Sequence, residues 1–140
     1  FTMIIGDENK HPQYKKFLEV GKEALQRWIA QAKHWNRVWD IGNAIQNYVE
    51  ENGYHIIREL TGHGLGRTLH EQPYIYNYGE VGKWAKIKAG MTLAIEPILG
   101  YSSGNIIDKW DWEIYVADGS IGCQFEHTIL VTEWEPEIIV

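Results

Sequence analysis

A single cysteine, Cys123, leaves no possibility of an internal disulfide and fits a reducing compartment. No apolar run approaches the roughly 20 residues needed to cross a bilayer, and no segment resembles a secretory signal. A soluble, cytoplasmic protein is therefore expected. Basic residues never gather into a long run, and 13 Lys and Arg against 19 Asp and Glu give a net charge of -6. That balance argues against nucleic acid or an anionic membrane as a partner. Repeats and low-complexity segments are also missing. Core material, by contrast, is ample: 44% of the 140 residues are hydrophobic, with seven Trp and eight Tyr, enough for one compact unit over residues 1–140.

The segment Thr61-Gly62-His63-Gly64-Leu65-Gly66-Arg67-Thr68-Leu69-His70-Glu71-Gln72-Pro73 carries two histidines on glycine-rich backbone. Glycine permits close approach of the chain to a ligand, Pro73 is expected to end the segment, and imidazole offers both metal affinity and proton transfer near neutral pH. Taken alone the pattern also fits a turn with hydrogen-bonded structural histidines. Two later segments, Met91–Pro97 and Gln124–Thr132, alternate with a period near two and read as strands. In the first, Thr92, Ala94 and Glu96 share one face. In the second, Gln124, Glu126, Thr128 and Thr132 oppose Phe125, Ile129 and Val131. Each strand thus aims one glutamate from its polar face, where it either meets the histidine segment or is simply solvated. By parity His127 falls on the apolar face and reads as a buried, hydrogen-bonded residue. Cys123 reads as a small strand residue rather than a nucleophile.

Two helices complete the outline. Phe17, Val20, Ala24, Leu25, Trp28 and Ile29 recur at helical spacing from about Pro12 to Lys33, and Ile41, Ala44, Ile45, Tyr48 and Val49 do so in a second helix. Asp40 or a neighbour should start the second helix and Gly53 should stop it. Tyr54 to Leu60 is expected to form a strand leading to the histidines. His11, His34 and His55 read as surface or capping residues.

Three blocks in order, Gly62-His63-Gly64-Leu65-Gly66-Arg67 with His70-Glu71-Gln72-Pro73, Gly90–Pro97, and Gln124-Phe125-Glu126-His127-Thr128 with Val131-Thr132, resemble the shorter, bacterial-type methionine aminopeptidases. The resemblance runs from Phe1 to the end and implies the C-terminal half of a pita-bread fold. That is an α+β frame in which a curved antiparallel sheet surrounds a metal site and helices cover its outer face.

Residue by residue, the resemblance implies His63, Glu96 and Glu126 as metal ligands, with Glu126 bridging two divalent ions and Glu96 also moving protons. It implies His70 beside the scissile peptide, and Trp112, Leu69, Thr61 and Leu60 around a methionine pocket. Cobalt, manganese, iron or zinc suits such a donor set. Two further aspartate ligands of the family lie upstream of the strand matching Phe1–Gly6 and have no counterpart here, and Asp7 cannot replace them. The resemblance therefore implies one part of a catalytic domain whose N-terminal half is absent. At most one ion is expected on this chain, and little activity from it alone.

In the intact protein the implied function is removal of N-terminal methionine, by a monomer, from nascent polypeptides with small second residues. A non-catalytic peptide-binding module of the same fold, and a proline-specific peptidase or dipeptidase, are the alternatives.

Overall fold

The computed structural model describes residues 1–109 and 113–140. Helix α1 spans Pro12–Ile29, with proline at its start where a missing N–H costs nothing. Its apolar stripe, Phe17, Val20, Ala24, Leu25, Trp28 and Ile29, is wholly buried. The helix ends earlier than the expected Lys33. Gln31 and Ala32 donate to Trp28 and Ile29 in tight i to i+3 bonds, and Trp35 then takes a positive φ of 75° that no helix continues through.

Helix α2 spans Val38–Glu51. Asp40 does not precede it but lies inside its first turn, where the carboxylate accepts the Arg37 N–H at 2.7 Å and the Gly82 N–H at 2.6 Å. Gly53 closes the other end, at a φ of 81° that suits glycine.

The strands are β1 His55–Ile56, β2 Thr61–Leu65, β3 Glu71–Tyr76, β4 Thr92–Ile95, β5 Ile98–Gly100, β6 Ile106–Asp108, β7 Ile114–Val116, β8 Gly122–Gln124, β9 His127–Leu130 and β10 Glu137–Ile138. They pair antiparallel in three ladders, ordered β10-β9-β4-β2-β3, β1-β5-β8 and β6-β7. Both long strands expected from the sequence are divided. Met91–Pro97 becomes β4, a break at Glu96-Pro97, and then β5 in a different sheet. Gln124–Thr132 becomes the end of β8, a break at Phe125-Glu126, and then β9. Proline lacks the N–H a ladder needs, so Pro97 helps to interrupt the first. The Phe125 N–H still reaches Pro97 O at 3.4 Å, which holds the two breaks side by side.

Two further expectations change. Tyr54–Leu60 holds only the short β1, and His63 belongs to a strand of its own, β2, rather than to a loop. Pro73 does not end the histidine segment; it lies within β3, an edge strand of its sheet, where a missing donor is tolerated. Gly62 and Gly64 are what allow β2 to sit between its neighbours. A Cβ on Gly62 would stand 2.4 Å from Ala94 O, and one on Gly64 2.5 Å from Gln72 O.

The core lies between the two helices and one sheet face. Leu93, Ile95, Ile129 and Val131 from β4, β9 and the residue beyond pack with Phe17, Trp28, Ile41 and Ile45. Each such side chain contributes about 1.5–3 kcal/mol on burial. Cys123 joins this core as an unpaired thiol, and burial pushes its pKa up to about 12, which removes it as a nucleophile at neutral pH. Helices on the apolar face leave the opposite face to Glu96 and its neighbours. Among the described residues no helix is long and apolar enough to cross a membrane.

Gly42 in α2 is a decisive test of this packing. Helix propensity alone would make Gly42→Ala stabilising by about 1 kcal/mol. Its Cβ would, however, meet Tyr78 O at 2.3 Å and Tyr76 O at 2.5 Å. Overpacking against backbone should win, and urea denaturation of the variant should show a loss of about 1–3 kcal/mol.

Candidate active site

His63 sits at the middle of β2, paired with Ala94 of β4 and Tyr74 of β3, and is only 7% exposed. Its Nδ1 lies 2.9 Å from Gly64 O. A carbonyl can only accept, so Nδ1 donates to it, and whenever the ring is neutral Nε2 presents a lone pair. That lone pair faces Glu96 Oε1 at 3.6 Å. An imidazole lone pair and a carboxylate opposed in this way are two acceptors with nothing to share unless a proton or a cation comes between them. A ring fixed through its far nitrogen by a backbone carbonyl is the arrangement that metal-binding histidines use.

Glu96 lies in the break between β4 and β5, with its side chain 13% exposed. Its pKa is raised to about 7, first by burial and then by the charge of Glu126. Gln124 Nε2 donates to Glu96 Oε2 at 2.9 Å. Glu126 stands in the matching break between β8 and β9 and is exposed. The three expected ligands therefore approach one another without closing. Among the described residues no three His, Cys, Asp or Glu side chains are gathered into a group that could enclose an ion unaided. A buried imidazole nitrogen opposite a carboxylate, with a second carboxylate beside it and, among the described residues, no Lys or Arg bonded to either, nevertheless suits a divalent cation with mixed nitrogen and oxygen preference.

His70 is exposed in the connection between β2 and β3, and its ring centre is 4.3 Å from that of His63 at an interplanar angle of 67°. The connection is held by Glu71, whose carboxylate accepts the Thr68 N–H at 2.8 Å and the Thr68 hydroxyl at 3.2 Å. The Thr68 amide also holds the Glu71 pKa below the usual carboxylate range.

Leu60 lines an apolar cavity of about 580 Å³ with Ile57, Ile98 and Ile114, next to Gln124. Thr61 is half-buried on β2, Leu69 is 67% exposed, and Trp112 lies outside the described residues. His127 is half-buried rather than buried, and its Nδ1 meets Val140 O at 3.1 Å. His34 accepts the Ala89 N–H at 2.9 Å, while His11 and His55 are exposed. Sequence reading passed over Gln124 and Glu71. Gln124 was detectable in principle, since it shares the polar-face parity of Glu126.

A model of the Metallopeptidase family M24 matches residues 1–133. The methionine aminopeptidase of Mycoplasma capricolum is 42% identical over 141 residues, covering 99% of this chain and 55% of that protein. That of Clostridium perfringens is 37% identical over 135 residues, covering 96% and 54%. The crystal structure of methionine aminopeptidase from Rickettsia prowazekii matches with a TM-score of 0.87 and 38% identity, over 90% of this chain and 52% of that one. A prolidase from Pyrococcus horikoshii shares the frame more distantly, with a TM-score of 0.70 and 25% identity over 97% of this chain and 33% of that one. The chain thus spans about half the length of the curated methionine aminopeptidases it matches. With helices on the outer face of antiparallel sheets and neighbours of this kind, it has the pita-bread fold. The chain belongs to metallopeptidase family M24.

Proposed function

We propose that the whole protein is a cytosolic methionine aminopeptidase, and that this chain contributes His63, Glu96 and Glu126 to a centre for two divalent ions. The observation that carries this reading is the His63 lone pair turned on the Glu96 carboxylate at 3.6 Å, with His70 alongside. A proton or a cation satisfies such a pair, and sequence similarity to methionine aminopeptidases favours the cation. The remaining carboxylate ligands would come from the part of the relatives' length that this chain does not span. Cobalt, manganese, iron or zinc fits the donors present.

When bound, divalent cations lower the pKa of a water and polarise a scissile carbonyl. The chain's own residues supply the rest. Glu96 would take a proton from the attacking water and return it to the leaving amine. His70, exposed beside His63, can hydrogen-bond the substrate carbonyl as negative charge develops on its oxygen. Leu60, Thr61, Leu69 and Trp112 would border the methionine side chain. The substrate is the N-terminus of a peptide or nascent protein, and small second residues are preferred.

Joining the upstream half of a related methionine aminopeptidase to this chain and following hydrolysis of Met-Ala-Ser tests the reading. Turnover with manganese or cobalt supports it. Cleavage of Xaa-Pro substrates alone would assign the chain to the proline-specific branch, and peptide binding without turnover would make it a non-catalytic module. In the joined protein His70→Ala should lower kcat about 100-fold or more while metal content by elemental analysis stays near normal. Loss of metal in that variant would refute the role given to His70. Glu126→Ala should lose metal.

Glu96 also sets a pH dependence for the metal-free chain. Its folded pKa of about 7 exceeds the ordinary 4.5, so between those values the folded state holds the extra proton. Stability is then greatest below pH 4.5 as far as this group is concerned, and falls as pH rises toward 7. Glu71 and Asp118, whose pKa values are lowered, act in the opposite direction and below this window. Melting temperature in EDTA should fall from pH 5 to pH 7, and Glu96→Gln should flatten that slope; an unchanged slope in the variant would rule the cause out.

A further inference from the structure

The carboxylate of Glu96 is divided between two partners. Oε1 faces His63 Nε2 at 3.6 Å, and Oε2 accepts the Gln124 side-chain amide at 2.9 Å. The terminal torsion of a glutamate is broad, so nothing intrinsic to Glu96 fixes the angle at which its carboxylate plane meets the imidazole. The amide does. A hydrogen bond to an ionised carboxylate belongs to the stronger class, and Gln124 is half-buried, where water competes poorly.

Gln124 is itself fixed from two sides. It ends β8, paired with Ile98 of β5 just past the Glu96-Pro97 break. On its other side the Thr2 hydroxyl accepts the Gln124 N–H at 2.9 Å and donates to the Gln124 carbonyl at 3.1 Å. One hydroxyl thus satisfies both backbone groups of one residue, 122 positions away in the chain. Without it, the last residue of β8 would have no partner on that edge and its side chain would lose a fixed origin.

We propose that Gln124 is a positioning residue that aims Glu96 Oε1 at the cation site, and that the Thr2 hydroxyl is the clamp that sets Gln124. The inference rests on reading Glu96 as a metal ligand. It adds a line of coupling in which the residues at the start of this chain tune the affinity of a site formed by its middle and end. Gln124 touches neither substrate nor ion in this scheme; it acts through Glu96.

Manganese binding to this chain, measured by the electron paramagnetic resonance of free Mn²⁺, tests it alongside the metal-free melting temperature. Gln124→Met, which keeps length and removes the donor, should weaken Mn²⁺ binding about 10-fold to 100-fold, with little change in melting temperature. Thr2→Val should weaken it in the same direction by less, and Thr2→Ser, which keeps the hydroxyl, should restore it. A merely structural role would move the melting temperature and leave the affinity of the folded fraction alone. Normal affinity in folded Gln124→Met, where Glu96→Gln abolishes binding, would overturn the inference and leave the site reading intact. If Gln124→Met does not fold, equal affinities for Thr2→Val and Thr2→Ser overturn it in the same way. Absence of Mn²⁺ binding by the unsubstituted chain, or indifference to Glu96→Gln, would overturn the site reading and this inference together.

Discussion

Two neighbouring antiparallel strands that break at the same level are the constraint on which the rest of the structure depends. β4 gives way at Glu96-Pro97 and β9 begins after Phe125-Glu126, and the Phe125 N–H bonded to Pro97 O keeps the two breaks together. A residue within a continuous ladder has both backbone groups committed and its side chain perpendicular to the sheet. A residue at a break escapes that geometry, and two adjacent breaks bring two escaped carboxylates to one place. Glu96 and Glu126 are near enough for one charge to raise the other's pKa because the chain changes sheets there twice.

That junction would be of little use without rigid supports on both sides. The helices hold Leu93, Ile95, Phe125 and Ile129 against their apolar face, so the strand segments entering and leaving each break cannot drift. On the other side Gly62 lets β2 approach β4 closely enough for His63 to face Glu96, and Gly64 lets it approach β3. A methyl group at Gly62 would collide with Ala94 O, and Ala94 is the partner of His63 across the ladder. Gly62 thus sets the distance between an imidazole and a carboxylate, a task different from the loop flexibility that the abundance of glycine suggests.

This difference explains what was legible in the sequence. Both helices were readable because Phe17 to Ile29 and Ile41 to Val49 bury one side at a period near 3.6, a pattern that loops do not imitate. Their ends were less so, since Asp40 caps from within the first turn and Trp35 stops α1 by a positive φ that no residue type signals. Alternation over Met91–Pro97 and Gln124–Thr132 placed the strands and their polar faces but concealed the breaks, because side chains continue to alternate after the hydrogen bonds have changed sheets. Glycine density made β2 look like a loop, since composition cannot tell a turn from a strand squeezed between two neighbours. Fold family and the candidate ligands could be read from motifs. For Gln124 the parity gave only the face, because its partners Thr2 and Glu96 lie far away in sequence.

The electrostatics of the site follow from what surrounds it as much as from what it contains. His63 donates through Nδ1 to a carbonyl, Gln124 donates to Glu96, and no Lys or Arg is paired with either carboxylate among the described residues. An arginine at this point would satisfy Glu96, lower its pKa and exclude a cation; an apolar neighbour would leave the carboxylate unable to ionise. Neutral donors do neither. They orient the imidazole lone pair and the carboxylate without cancelling negative charge, so the unmet demand of the site is for positive charge alone. Exposed glutamates such as Glu8, Glu23 and Glu135 are paired with Lys15, Arg27 and Lys33, whereas Glu96 and Glu126 have no Lys or Arg partner among the described residues, which leaves their negative charge open to a cation.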